Sequence, residues 1–212
     1  MYPLTKGSLA TLVVSTTLLF AATVAHAADE PRARTDALLG AFMRVKPLPD
    51  DGSVLSDGDK ASNRKVFEEL DTYFDYDTFT KACLGANASK FSAEQRSRFD
   101  SVFKELIRRI AYPDSGTFLK KSKTKLNPAK IEGKKATVLL NVEVPAEDLE
   151  METLFHWQNS GGWRVVDVSF DGASLVKDYQ NQFGRIITKD GVDGLLNKLD
   201  KRLKKALEES VL

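Results

Sequence analysis

Residues Trp163 to Phe183, W-R-V-V-D-V-S-F-D-G-A-S-L-V-K-D-Y-Q-N-Q-F, change their hydrophobic period in mid-course, and that change restricts what the chain can build. β-Branched and aromatic residues crowd Trp163 to Phe170 behind Gly161-Gly162, which predicts a strand. Asp171-Gly172 then breaks it. Ser174 is placed as an N-cap, and Leu175, Val176, Tyr179, Phe183, Ile186 and Ile187 recur at helical spacing. A strand that turns directly into a helix with a broad apolar stripe needs a second layer against which both can be buried.

The other elements supply that layer. Thr35 to Val45 reads as a helix with Leu38, Leu39, Phe42 and Met43 on one face, and Pro47 to Gly58 as a polar linker. A second helix is expected from about Lys60 to Phe74, with Val66, Phe67, Leu70 and Phe74 inward. Asp75 or Asp77 can cap a third that ends at Gly85 and buries Phe79, Cys83 and Leu84. Ser92 and Gln95 form a capping box, after which Phe99, Val102, Phe103, Leu106, Ile107 and Ile110 make a wide stripe until Tyr112-Pro113 ends the helix. Strands follow: a weak one between Phe118 and Ile131, then Ala136 to Val144 with Ala136, Val138, Leu140, Val142 and Val144 on one face. Met151 to Gln158 and Trp163 to Phe170 form a hairpin around Asn159-Ser160-Gly161-Gly162. A symmetric turn sets Phe155 opposite Val166, Thr153 opposite Val168 and Met151 opposite Phe170, with His156, Trp163, Val165 and Asp167 on the reverse face. A last helix runs from about Val192 to Glu209 on Leu195, Leu196, Leu199, Leu203 and Leu207. The fold class is α+β: a small curved antiparallel sheet of about four strands wrapped by helices, NTF2-like with helical additions.

Residues 1–27 read as a secretory signal. Lys6 marks the basic end, an apolar run covers Leu9 to Val24, and Ala25-His26-Ala27 is a cleavage site. Residues 28–212 then form a single domain. Removing Lys6 from the 31 basic residues leaves 30 against 30 acidic ones, a balance that gives no reason to expect nucleic acid as a partner. The single cysteine excludes an intramolecular disulfide.

Little here supports catalysis. Of the two histidines only His156 lies beyond the signal, so no His/Cys metal cluster can form, and a Ser-His-Asp triad has only that one imidazole to use. A His156–Asp167 pair on a curved sheet is the single enzyme-like arrangement available, and a structural hydrogen bond accounts for it equally. Cys83 on an apolar helical face reads as a small buried hydrophobe. Lys120, Lys121, Lys123, Lys125, Lys130, Lys134 and Lys135 read as a solvated strand edge, or else as a surface for phosphate headgroups or an acidic partner.

Asp167-Val168, Gly172, Ser174-Leu175-Val176, Tyr179 and Gln182-Phe183 resemble the D-V-x-x-x-G-x-S-L-V-x-x-Y-x-x-Q-F signature of the MlaC, or toluene-tolerance, family. Phe74-Asp75-Tyr76 followed by Leu84-Gly85 is similar to its F-D-F…L-G segment, and Gly191 to Leu196 adds G-V-D-G-L-L. A tryptophan often found after that L-G is replaced here by Asn87 to Lys90. The resemblance implies a periplasmic carrier of Mla-type intermembrane lipid transport, monomeric and non-enzymatic, without cofactor or metal. Its cargo is phospholipid, with a hopanoid as the alternative. Implied partners are an inner-membrane MCE-domain ring with its ABC transporter and an outer-membrane lipoprotein–porin complex. It also implies that helices and sheet stop short of closing and that acyl chains fill the space between. The walls are then expected to be Phe79, Phe99, Phe103, Leu106, Ile107 and Ile110 from the helices, and Leu140, Val142, Phe155, Val166 and Val168 from the sheet. Leu175, Val176, Tyr179, Phe183 and Ile187 complete them, with Tyr179 at the mouth.

Overall fold

The computed structural model describes residues 17–49, 53–208 and 212, with side chains from Glu30 onward. The expected cleavage site at Ala25-His26-Ala27, and most of the signal segment before it, lie outside the residues described in full. Among the described residues no helix is long and apolar enough to cross a membrane.

Helix α1 (Thr17–Arg44) runs well ahead of its expected start at Thr35. Pro31 is accommodated within it, and Thr35 Oγ1 donates to the Pro31 carbonyl at 2.7 Å. Leu38, Leu39 and Phe42 are buried as expected, but Met43, about 100° further round the helix, is 47% exposed. Helix α2 (Asp57–Asp71) is capped by Ser56, whose hydroxyl accepts from Asp59 N at 3.1 Å. Asn63 on its buried face bonds both the N–H and the carbonyl of Lys46, which pins the incoming linker. Phe74 falls beyond α2, in a segment that bridges to the strand carrying Val165: Val165 N donates to Tyr73 O at 2.7 Å and Asp75 N to Val165 O at 3.0 Å. Asp75 then caps α3 (Tyr76–Leu84) through Thr78 N.

Helix α4 (Ala93–Leu106) starts at the Ser92–Gln95 capping box, both arms of which are present. It does not end at Tyr112-Pro113 as expected. Ile107–Ala111 widens into a π-helical turn, Tyr112 N reaching back to Ile107 O, and α5 (Tyr112–Lys120) continues from it. Pro113 thus sits in the first turn of a new helix, where its missing N–H costs nothing.

The strands are β1 (Lys123–Leu126), β2 (Lys130–Glu132), β3 (Lys135–Val144), β4 (Leu149–Asn159), β5 (Trp163–Phe170) and β6 (Ala173–Ser174). They form one antiparallel sheet in the order β1-β3-β4-β5-β6, with β2 also on β3. The weak strand expected between Phe118 and Ile131 is thus β1 and β2, two short pieces separated by Asn127-Pro128-Ala129. The β4–β5 hairpin departs from the symmetric register. Asn159 pairs with Trp163, which leaves a three-residue loop, and a bulge between His156 and Trp157 shifts the rest. Phe155 therefore faces Val168 rather than Val166, Thr153 faces Phe170, and Trp157 faces Val165. The slip returns Trp163 and Val165 to the buried face and leaves Val166 as the unpaired extra residue. A D-G hairpin follows, Asp171 and Gly172 both at positive φ (47° and 82°), and delivers the chain to α6 (Leu175–Glu208). Gly191, at φ 73° and ψ −179°, breaks α6 into the two helices expected from sequence.

Two apolar clusters result. One joins α1, α2 and α5 to the sheet face carrying Val138, Leu140, Phe155, Trp157 and Val165. The other joins α3, α4 and α6 through Phe79, Phe99, Phe103, Phe183, Ile187 and Leu195.

Candidate functional site

Between the two clusters lies a cavity of about 380 Å³. Its floor is the sheet: Leu140 and Val142, Thr153 and Phe155, Val165, Val168 and Phe170. Its roof is the π turn and α5: Ile107, Ile110, Ala111, Tyr112, Asp114, Ser115, Phe118 and Leu119. Leu39 and Phe42 of α1 close one side; Phe74, Tyr76, Phe79, Leu175 and Tyr179 close the other. A cavity of about 150 Å³ holds benzene, or about 25 Å³ per carbon, so this one has room for roughly fifteen carbons. Ala111, Asp114 and Phe170 both line it and are exposed, Phe170 by 42%, which marks the mouth between the start of α5 and the end of β5.

The elements that set this geometry have identifiable causes. Gly116 lets α5 settle directly on α1, where a Cβ would stand 2.5 Å from the Phe42 carbonyl oxygen. That contact ties α5 to α1 and not to the sheet. Asp167 anchors the start of α6: its carboxylate accepts from Ser174 Oγ at 2.6 Å and from Val176 N at 3.0 Å, while Ser174 Oγ caps Lys177 N. Leu175 and Tyr179 are held at the cavity wall by this clamp.

The phenols in the wall are tied to charge behind it. Tyr112 Oη donates to Asp71 Oδ1 at 2.9 Å, the Tyr76 hydroxyl bonds both Tyr112 and Asp71, and Asp71 is paired with Lys104 at 3.1 Å and Arg108 at 3.5 Å. Burial first, then the Asp71 charge, pushes the Tyr76 phenol well above the ordinary range. For Tyr112, burial is followed by the neighbouring Tyr76 and Asp71. Both stay neutral, so the cavity sees mainly their rings.

Of the residues expected to line the space, Phe79, Ile107, Ile110, Leu140, Val142, Phe155, Val168, Leu175 and Tyr179 do so. Phe99, Phe103, Leu106, Phe183 and Ile187 are buried in the α3–α4–α6 cluster instead, and Val176 packs against it. Val166 is displaced by the bulge. Tyr179 is not at the mouth: its ring packs against Phe79, Phe103 and Phe183, and burial raises its pKa. Sequence reasoning missed Leu39, Phe42, Phe74, Tyr76, Tyr112, Phe118, Leu119, Thr153, Val165 and Phe170. For Phe42 the periodicity was readable, but which side of the cavity its helix would take was not, and Phe118 lies in a helix where a weak strand was expected.

His156 and Asp167 are Cα partners, yet the imidazole Nε2 is bonded to Ser169 Oγ at 2.8 Å and the carboxylate is engaged at the start of α6. Neither lines the cavity. Cys83 is fully buried. In the basic run, Lys120 Nζ donates to Val45 O at 2.6 Å and Lys123 pairs with Glu143 at 3.1 Å, while Lys121, Lys125, Lys130, Lys134 and Lys135 are exposed along the sheet edge. Among the described residues no group of three or more His, Cys, Asp or Glu side chains is placed to hold a metal.

Comparison with known proteins agrees with this arrangement. Residues 48–201 match the family model described as MlaC protein. The chain is 27% identical over 139 residues to the intermembrane phospholipid transport system binding protein MlaC of Haemophilus influenzae (strain ATCC 51907 / DSM 11121 / KW20 / Rd). That match covers 63% of this chain and 64% of the relative, so it spans somewhat less than two thirds of the relative's length. The fold is similar, with a TM-score of 0.64 at 20% identity, to the phospholipid-binding protein from Ralstonia solanacearum, whose structure was solved in complex with a phospholipid. The similarity covers 84% of this chain and 98% of that one. The match to the family model across most of its length assigns the chain to the MlaC family.

Proposed function

We propose that this protein is a periplasmic phospholipid carrier that receives acyl chains in the cavity between the sheet and α5 and moves them between membrane complexes. The observation that carries the proposal is the cavity itself: an apolar interior, an exposed mouth, and the Tyr76 and Tyr112 hydroxyls taken up by Asp71. Transfer through water is the physical problem such a protein solves. Each buried methylene is worth about 0.8 kcal/mol, so two chains of about sixteen carbons resist leaving a bilayer by about 25 kcal/mol. A carrier must keep those methylenes dry throughout and needs no bond-breaking chemistry.

As it stands, the cavity has room for one chain of roughly fifteen carbons. A second requires the roof to lift from β5, and the Ile107–Ala111 turn, already shifted out of α-helical register, is where that movement starts. The signal segment at residues 1–27 delivers the protein to the periplasm. There it meets the inner-membrane MCE ring with its ABC transporter, and the outer-membrane lipoprotein–porin complex. Extraction of the purified full-length product with organic solvent, followed by mass spectrometry, is expected to yield phospholipid at close to one molecule per chain. A folded protein that yields none, and takes up none from vesicles, overturns the proposal; recovery of a hopanoid replaces the cargo but keeps the carrier.

A further inference from the structure

The wall of the cavity carries one formal charge. Asp114 is the only ionisable residue of the lining apart from the two tied phenols and the packed phenol of Tyr179, and no lysine or arginine accompanies it. It lies in the first turn of α5 and is exposed at the mouth, and its carboxylate has no hydrogen bond or ion pair with any described residue. Two neighbours complete the setting: the Ser115 hydroxyl, and the ring of Phe170 across the opening. A lipid whose tail fills the cavity must leave its headgroup here, beside a carboxylate and an aromatic face.

We propose that the mouth selects phospholipids whose headgroup carries an ammonium, of the ethanolamine or choline type, over those with net negative charge, and that Asp114 is the selecting residue. The inference rests on the carrier reading above. The ammonium pairs with the Asp114 carboxylate and lies against the Phe170 ring. A glycerol headgroup offers no cation to either, and its uncompensated phosphate meets like charge.

The test loads the full-length protein from vesicles that contain equal amounts of ethanolamine and glycerol phospholipids with identical acyl chains, then identifies the bound lipid by mass spectrometry. The readout is the ratio of the two headgroups within each sample, which is independent of how much lipid a variant takes up. The expected ratio for the unaltered protein is about threefold to fivefold in favour of ethanolamine at low salt, the size of a partly exposed ion pair, and it falls as ionic strength rises. Asp114→Asn brings it near one, and Asp114→Lys inverts it. Equal loading by the unaltered protein, or an undiminished preference in Asp114→Asn, overturns the headgroup proposal and leaves the carrier intact. Failure to load either lipid overturns the carrier reading itself.

Discussion

The two apolar clusters are built from the same kinds of residue and end in opposite states. In the α3–α4–α6 cluster, Phe99, Phe103 and Phe183 form a closed triangle with ring centroids 5.3 to 5.6 Å apart, and Phe91 and Tyr179 extend it. Tilted and edge-to-face rings at those separations fill space as a crystal does. In the sheet cluster, the floor is mostly branched aliphatics on a twisted surface, and the helix above it is set against α1 at its flank through Gly116. A helix held by its flank cannot settle onto the strands beneath it. What separates a filled core from an open one here is where the roof is attached, not how greasy the faces are.

The largest effect expected is in the closed cluster. Phe103→Ala removes a ring that touches Phe79, Phe99, Tyr179 and Phe183 and is expected to cost about 3–5 kcal/mol, read as a shift of the urea midpoint. The lipid bound per folded molecule should change little, because Phe103 does not line the cavity. If the variant instead keeps its stability and loses its lipid, the two clusters are not the separate bodies described. Gly116→Ala probes the other one. Its Cβ meets the Phe42 carbonyl at 2.5 Å, so α5 must move off α1 toward the sheet, costing about 1–3 kcal/mol and shrinking the cavity. Reduced loading with a modest loss of stability is expected. Unchanged loading would mean that the α1 contact does not hold the roof up.

How far the sequence carried this division is instructive. In the strand-to-helix passage at Trp163–Phe183 the Asp171-Gly172 turn and the Ser174 cap were legible, because each has a local job, whereas the hold of Asp167 on Ser174 and Val176 was not. The Ser92–Gln95 box was legible for the same reason. The hairpin register was not, since the His156/Trp157 bulge leaves no mark in the hydrophobic pattern and moves Val165 and Val166 to opposite fates. Nor was the cavity wall, because a stripe such as Phe99 to Ile110 shows one helix face and not its partner. Here that single stripe is divided, Phe99 and Phe103 to the core and Ile107 and Ile110 to the cavity, by a π turn that periodicity smooths over.

A smaller effect tests the link between the clusters. Asp167→Ala removes the acceptor for Ser174 Oγ and Val176 N and is expected to cost about 1–2 kcal/mol, with increased amide exchange confined to the first turn of α6. Exchange that rises equally through α4 would mean the clamp supports the whole helical cluster and not only that junction.

The mildest perturbation compares the two interiors directly by thiol labelling. Cys83 lies in the closed cluster at 0% exposure, and burial, followed by the Asp167 charge, pushes its thiol up to about 12. At pH 8 the folded thiol is therefore both neutral and covered, and a small apolar maleimide should label it only at the rate of unfolding. An unfolded thiol ionises near about 8.5, so the folded state alone keeps its proton above that value. The contribution of this residue to stability is intact below pH about 8.5 and is lost as the pH climbs toward about 12. In a Cys83→Ala background, Ile110→Cys places a thiol on the cavity roof, near the exposed mouth. It should label within minutes when the protein is delipidated and be protected when phospholipid is restored. Equal protection of Cys83 and of the introduced thiol in the delipidated protein would show a roof that closes on the sheet in solution, and the contrast between the two clusters would vanish.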